Sequence, residues 1–535
     1  MKKSENHGFD AAKARERRIK NREKRRKATN RGYSESGASF TRQVFKNFKV
    51  SSGSPIEDID FNNYTLRQRS RILFQSSPIA TSAIKTNRTN VVGQGLKLKA
   101  HIDKGTLGLT SEQAEAIQKK IEKEFSIWAE NKMACDSMGS NNFYELQQIV
   151  VMSWLMSGDV FGILKMGKPT LMRPYALNIQ LVEADRVSTP YDTKQVQYQT
   201  EGKNTANGNP IHDGIEVDKN TGRVVAYWIS KYYPDELIGT TIELQKWTRV
   251  EAFQKGTELS NVVHVYDAER PGAYRGVPYI SQAIEPILQI RRYTQSELMA
   301  AIIESFFTGF VITQANPDEM PLNEVIADDE DDVSAENDYR MGPGQFNVLK
   351  EGEDIKFADP KRPSNGFDAF VKNIATQIGA SLEIPRDLLL KEFNSSYSAS
   401  RAALMEAWKS FRMRRDWLAN DFCKPIYEYW LSEAIARGRI DAPGFFTDPM
   451  IHQAYLGSEW IGPSQGQLDP TKEINAELLA ISNGLSTHEQ STVRLNGGSW
   501  SDNVDQLEQE NKRMNEITKI LSKGDETDVK QEEKG

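Results

Sequence analysis

The sequence predicts an α+β protein that is mainly helical, and three observations carry that expectation. Long segments with helical periodicity occupy both ends of the chain. Short β runs with turn chemistry between them fill the stretch from Val160 to Val265. A small β insertion lies between two helical segments that run from Tyr279 to Ser305 and from about Ser364 to Leu382. With 535 residues, of which 38% are hydrophobic and 9% aromatic, the chain can bury a core and carry two to four structural units.

Residues 1–55 read as a mobile basic arm. Residues 1–32 hold 13 Lys/Arg against 4 Asp/Glu, which leaves 55 against 70 for the other residues and a net of −15 on the body. Such an arm suits contact with nucleic acid or an acidic partner, or simple solvation. The globular part begins near Ile56. The segment Tyr64 to Asn90 predicts one helix with Leu66, Ile72, Leu73, Ile79 and Ile84 on its buried face. It leads into a strand, Val91 to Leu98, broken by Gly93 and Gly95. A helix follows from Ser111 to Asn131, where Ile117, Ile121, Phe125 and Trp128 recur at spacings of three and four. Another runs from Asn142 to Met156.

Strands are then expected at Val160–Leu164, Ile179–Val182 and Val224–Trp228, separated by Asn207-Gly208-Asn209-Pro210 and Asn220-Thr221-Gly222. After the helix 279–305 come a strand at Phe306–Thr313, an acidic loop at Asp318–Asp338, and strands near Phe346–Leu349 and Ile355–Phe357. Beyond the second helix a polar stretch, Lys391 to Ser398, precedes a very long helix from Ala399 to Ala436. Its apolar stripe is Leu404, Trp408, Phe411, Leu418, Phe422, Ile426 and Tyr429, and Pro425 should kink it. A second face carries Lys409, Arg412, Arg414 and Arg415, facing either neighbouring subunits or solvent. Helix starts at Asp469-Pro470 and Ser486–Glu489 mark a helical C-terminal part that ends in a charged tail.

The motifs of chemistry are incomplete. Gly162 to Pro169 approaches a phosphate-binding loop, but Pro169 stands where a hydroxyl must hold Mg²⁺, so a β-hairpin turn is the better reading. The run Asp328-Asp329-Glu330-Asp331-Asp332 has Val333 where a calcium loop needs glycine. Six histidines and two cysteines, Cys135 and Cys423, show no zinc spacing, and no Gly-x-Ser-x-Gly elbow occurs. The sequence thus offers no catalytic residue, cofactor or metal. The N-terminus is charged without an apolar run behind it, and the most apolar stretch, Leu298 to Thr313, is too short to span a bilayer. The expectation is a protein made in a cytoplasm and not placed in a membrane.

Several segments, in order, resemble the lambda-type portal family of tailed bacteriophages. They are Ser77-Pro78-Ile79-Ala80 with Asn90 to Leu96; His264 to Gly272 with Tyr274-Arg275-Gly276-Val277-Pro278; and Tyr397 to Leu404 with Trp408 and Phe411. Further on come Phe422 to Tyr427, Trp430-Leu431, Trp460 to Pro463, Asp469 to Glu473 and Asn483 to Thr487. Together they spread over some 420 residues. The acidic insertion and the basic arm depart from the pattern.

The resemblance implies a non-enzymatic, ring-forming portal fold at the capsid vertex of the virion, assembled in the host cytoplasm. By it, 56–278 is an α+β wing, 279–305 and 361–390 are the stem helices, and 306–360 is the clip. Residues 391–398 are then the tunnel loop, 399–436 the long wing-spanning helix, 437–518 the helical wing and crown region, and 519–535 the charged tail. Double-stranded DNA would pass Lys391, Asn394, Ser395, Ser396, Tyr397, Ser398 and Arg401. Partners would dock on the clip at Asp328, Asp329, Glu330, Asp331, Asp332, Gln345 and Lys350. The partners implied are eleven further copies in a dodecamer, the terminase large subunit, the major capsid and scaffold proteins, and a head-completion adaptor. The competing functions are a packaging ATPase or nuclease, another head–tail connector or minor capsid protein, and a nucleic-acid binder acting through the arm.

Overall fold

The computed structural model describes residues 16–18, 20, 37–39, 42–48, 52–191, 199–236, 245–305, 309–313, 353–357, 366–393, 396–466 and 469–532. The chain divides into two units, 1–58 and 59–535. In the first, a short 3-10 turn spans Gln43–Phe45. Ser54 and Glu57 cap the next helix reciprocally, Glu57 N–H donating to Ser54 Oγ and Ser54 N–H to Glu57 Oε2.

The expected helix 64–90 is two helices, α1 (Pro55–Ser76) and α2 (Pro78–Val91). Pro78 forces the break: it has no N–H to give and holds Ser77 extended, while its fixed φ suits the first turn of a new helix. The restart rotates the buried face, so Leu73 and Ile84 are buried but Ile72 is 60% exposed. Val91 closes α2, and the glycine pair that follows forms a turn, so strand β1 (Lys97–Ala100) begins late. There Gly95 adopts φ +118° with its Cα against Tyr144, a position no side chain could occupy.

Helices α3 (Ser111–Ala129) and α4 (Phe143–Ser157) both start on complete capping boxes, from Thr110 and Asn142. Their inward faces join one aromatic core, in which Phe125 stacks edge-on against Phe143, Tyr427 and Trp430. Strands β2 (Asp159–Met166), β3 (Leu177–Glu183) and, later, β9 (Val262–Tyr266) form a sheet in the order β3-β2-β9, antiparallel throughout. The region suspected of phosphate binding is therefore strand and hairpin: Gly162 sits mid-strand, packed against Val263 and Phe422. Between them, β4 (Glu201–Lys203), β5 (Pro210–His212), β6 (Ile215–Val217), β7 (Val224–Ser230) and β8 (Trp247–Glu251) make a five-stranded meander. At its centre Glu216 is fully buried and accepts from Asn204, Asn207, Asn209, Trp228 and Arg249. Burial opposes its charge, but Arg249 and the three amides outweigh that and hold its carboxyl at about 2.

Helix α5 (Ile284–Ser305) leads to strand β10 (Gly309–Thr313), which pairs antiparallel with β11 (Glu353–Phe357) before α6 (Phe367–Ser381) returns. The short α7 (Arg386–Leu390) then turns the chain into α8 (Tyr397–Leu418). A π-helical turn, Ala419–Cys423, joins α8 directly to α9 (Lys424–Ala436). The 40 residues from Tyr397 to Ala436 thus make a rod of roughly 60 Å at 1.5 Å per residue. Pro425 cannot donate to the preceding turn, and the widened π turn just before it absorbs that defect. Phe411, Leu418, Phe422 and Ile426 are all at most 1% exposed, so the apolar stripe runs unbroken across the π turn.

The chain closes with α10 (Pro449–Leu456), β12 (Ser458–Ile461), which pairs with β1, and α11 (Pro470–Ser482), α12 (His488–Asn496) and α13 (Trp500–Glu532).

Candidate functional site: helix pair, strand pair and polar loop

Helices α5 and α6 lie side by side, with the Tyr293 ring meeting Phe367 at 5.4 Å and Phe370 at 4.7 Å between centroids. The β10–β11 ladder, Gly309 opposite Phe357 and Thr313 opposite Glu353, ties the same two helices together at their far ends. In chain order this strand pair falls between the two helices. Asp328 to Asp332, Gln345 and Lys350 fall outside the described residues.

At the other end of α6, Ile384 N–H donates to Gly379 O, and Gly379 packs so closely on that backbone that a Cβ would collide with Ile384 O. The chain is thereby steered into α7, whose end is Lys391 in the left-handed region at φ +57°. Lys391 Nζ donates to Thr86 Oγ1 at 2.8 Å, and Ser82 Oγ donates to Leu389 O at 2.7 Å, which pins the start of the polar loop to α2. Burial pushes the Lys391 ammonium below its ordinary range. The loop is shorter than expected. Ser396 caps α8 by accepting from Ala399 N–H, so Tyr397 and Ser398 belong to the first helical turn. Ser396 and Ser398 hydroxyls lie 3.4 Å apart and are exposed. Arg401 reaches Glu473 at 4.0 Å, whereas Asn394 and Ser395 lie outside the described residues.

The second face of the long helix differs from both alternatives left open by the sequence for two of its four cations. Arg414 is 7% exposed, donates to Asn87 and Glu383, and lies over the Tyr279 ring. Arg415 donates to the carbonyls of Val91, Asn90 and Pro463. Both stitch the chain to itself, because α8 packs on α2 and the loop after β12. Lys409 and Arg412 are exposed.

Sequence reasoning missed a buried ionic centre in the α+β region. Arg275, fully buried, donates to both oxygens of Asp159, lies 3.0 Å from Asp213, and donates to the carbonyls of Val187 and Ala184. Arg67, from α1, donates to Asp213 at 3.0 Å and to Ser157 O, and Arg71 pairs with Asp185. Burial opposes the charge of Asp159, but Arg275 and Arg67 outweigh it and hold its carboxyl well below the usual range. Asp60 has the reverse fate: burial first, then the Asp213 carboxylate, push it up to about 7. With Asp60 protonated, Asp159, Asp185 and Asp213 stand against Arg67, Arg71 and Arg275. Beside them Gly158 (φ +87°) and Gly276 approach so closely that a Cβ on either would strike the other's carbonyl. Asn63 Nδ2 donates to Gly276 O at 3.0 Å. The segment Tyr274-Arg275-Gly276 is therefore a structural clasp. Its signal in the sequence was only the family-like motif, since its partners come from five separate segments.

A helix pair with a strand pair between its members in the chain, a short hydroxyl-bearing loop and one rod-like helix make up a fold of the portal class. The sequence model for "Phage portal protein, lambda family" matches residues 41–415, and the chain belongs to that family. It is 23% identical to "Portal protein B" of Escherichia phage lambda over 490 residues, covering 86% of each chain. It is 21% identical to the "Portal protein" of Escherichia phage N15 over 440 residues, 79% of each. Among solved structures, a chain from "Neck of empty GTA particle computed with C6 symmetry" matches with TM-score 0.41 and 13% identity, over 81% of this chain and 92% of that one. The family is structural rather than enzymatic. No described helix is long and apolar enough to cross a membrane.

Proposed function

We propose that this chain is the repeating subunit of a dodecameric ring at one capsid vertex, through which double-stranded DNA enters during packaging and leaves during ejection. The observation that carries this is the α5–α6 hairpin with β10–β11 between its far ends. That unit suits a stem, formed by 279–305 and 361–390, that presents a clip, 306–360, outward. The wing would comprise 56–278 and the long helix 399–436, with 437–518 as wing and crown. In this reading the terminase large subunit and then a head-completion adaptor dock on the clip around Asp328–Asp332, Gln345 and Lys350, and capsid or scaffold proteins surround the wing.

Residues 391–398 would line the narrowest point. Lys391, Asn394, Ser395, Ser396, Tyr397, Ser398 and Arg401 offer hydroxyls, one amide and two cations, a composition that meets phosphates without reading bases. A conduit must not grip. DNA carries a charge per ~1.7 Å, and a strongly basic wall would hold it through counterion release, whereas a body net of −15 lets it slide.

Deleting Asn394 to Ser396 tests the loop. Rings of the deletion variant should assemble and fail to package or retain DNA in a defined packaging reaction. Packaging at the wild-type rate would overturn the assignment.

A further inference from the structure

Residues 61–102 contain seven Lys/Arg and no Asp or Glu, in a body that is otherwise acidic. Arg67 and Arg71 are spent in the buried ionic centre. The rest of this stretch includes α2, and α2 forms one wall of an open cleft of about 660 Å³. The lining runs along one helical face, Pro78, Thr81, Ser82, Lys85 and Arg88, at spacings of three and four, and Lys391 closes the cleft from the polar loop. The opposite face, Ala80, Ala83, Ile84 and Val91, is completely buried, so the polar face is held outward. Among the described residues, no carboxylate lines the cleft. Among the described residues, Lys85 and Arg88 make no ion pair.

A second feature converges on the same place. Ser77 stands at the N-cap of α2, is 5% exposed, and its hydroxyl makes no capping bond although it lines the cleft. The 14-residue helix thus presents its positive end uncapped. Arg291 of α5 donates to Ser76 at the same rim. An uncapped helix N-terminus, a largely buried Ser77 whose hydroxyl has no bond among the described residues, and four cations that pair with no acid among them ask for an anion.

We propose that the α2 cleft binds the phosphodiester backbone of DNA, taking consecutive phosphates between Ser77 and Arg88. That distance is about 16 Å along the helix, long enough to follow more than one phosphate of a strand. The proposal rests on the conduit reading, because Lys391 makes the cleft continuous with the polar loop. Its contacts are few per subunit and blind to sequence, as a sliding track requires.

The test uses full-length rings and a short fluorescent DNA duplex, with affinity read across a salt series. Lys85→Ala with Arg88→Ala should lower affinity several-fold at low salt. It should also reduce the log–log salt slope by about 0.9 for each phosphate that is no longer neutralised, equally for unrelated sequences. Ser77→Asp supplies a capping carboxylate, which favours the helix, and should weaken DNA binding in the same way while rings persist. Unchanged affinity and slope in rings that look normal by negative stain would overturn the cleft and leave the conduit reading standing. Conversely, the salt effect in a protein that forms no rings would support the cleft and sink the conduit. Loss of ring closure in Lys85→Glu with Arg88→Glu, with DNA binding intact in the alanine pair, would overturn the proposal in favour of ion pairs between copies. Inorganic phosphate that occupies the cleft at matched ionic strength yet leaves the duplex bound would overturn DNA as its ligand.

Discussion

Arg275 shows how one side chain can decide a region's stability. Replacing it with alanine leaves Asp159 and Asp213 buried and facing each other without their main counter-charge, and breaking a buried pair in this way costs about 3–5 kcal/mol. Arg275→Ala should therefore lower the denaturation midpoint sharply. Arg275→Lys should not restore it, because an ammonium cannot serve two carboxylates and two carbonyls in a plane. Asp60 gives the opposite lesson. Its folded pKa of about 7 exceeds the ordinary 3.8, so the folded state keeps its proton where the unfolded chain has released it, and stability falls as pH rises from about 4 to 7. At about 1.4 kcal/mol per unit the full penalty is at most about 4 kcal/mol. Asp60→Asn should raise the melting temperature at pH 8, with the gain shrinking toward pH 4. A gain that grew on acidification would refute this account of the site. Neither role was legible beforehand, since Asp60, Arg67, Asp159, Asp213 and Arg275 are scattered over more than 200 residues and only the fold unites them.

At the scale of elements, periodicity spoke clearly wherever one helix had one core to face. Ile121, Phe125 and Trp128 are buried as their spacing demands, and the stripe from Trp408 to Tyr429 holds across two helices and a π turn. It failed where a helix was interrupted. The apolar spacing runs on through Ser77-Pro78 and puts Ile72 inward, because a proline that ends one helix while starting another leaves no trace in the pattern of apolar residues. Charge patterns were less informative still, because Arg414 and Arg415 look like a face for solvent or a neighbouring subunit and are in fact bonded to α2, to Glu383 after α6 and to the loop after β12. The α5–α6 hairpin yields a prediction of its own. Since Tyr293 joins the two helices independently of the strands, replacing residues 306–360 with a short linker should leave the helical circular dichroism and the main unfolding transition almost unchanged. Adding Tyr293→Ala to that variant should loosen the hairpin, seen as faster amide exchange in α6. Equal exchange in the two variants would show that the aromatic contact is not what holds the pair.

For the whole molecule, the proposed function requires closure: subunits arranged about an axis, with the helix hairpins side by side and the polar loops pointing at one passage. Electron micrographs of the purified full-length protein test that most directly. The account predicts closed rings, twelve copies each, around a central opening. Monomers persisting at high protein concentration, or compact particles with no opening, would contradict it.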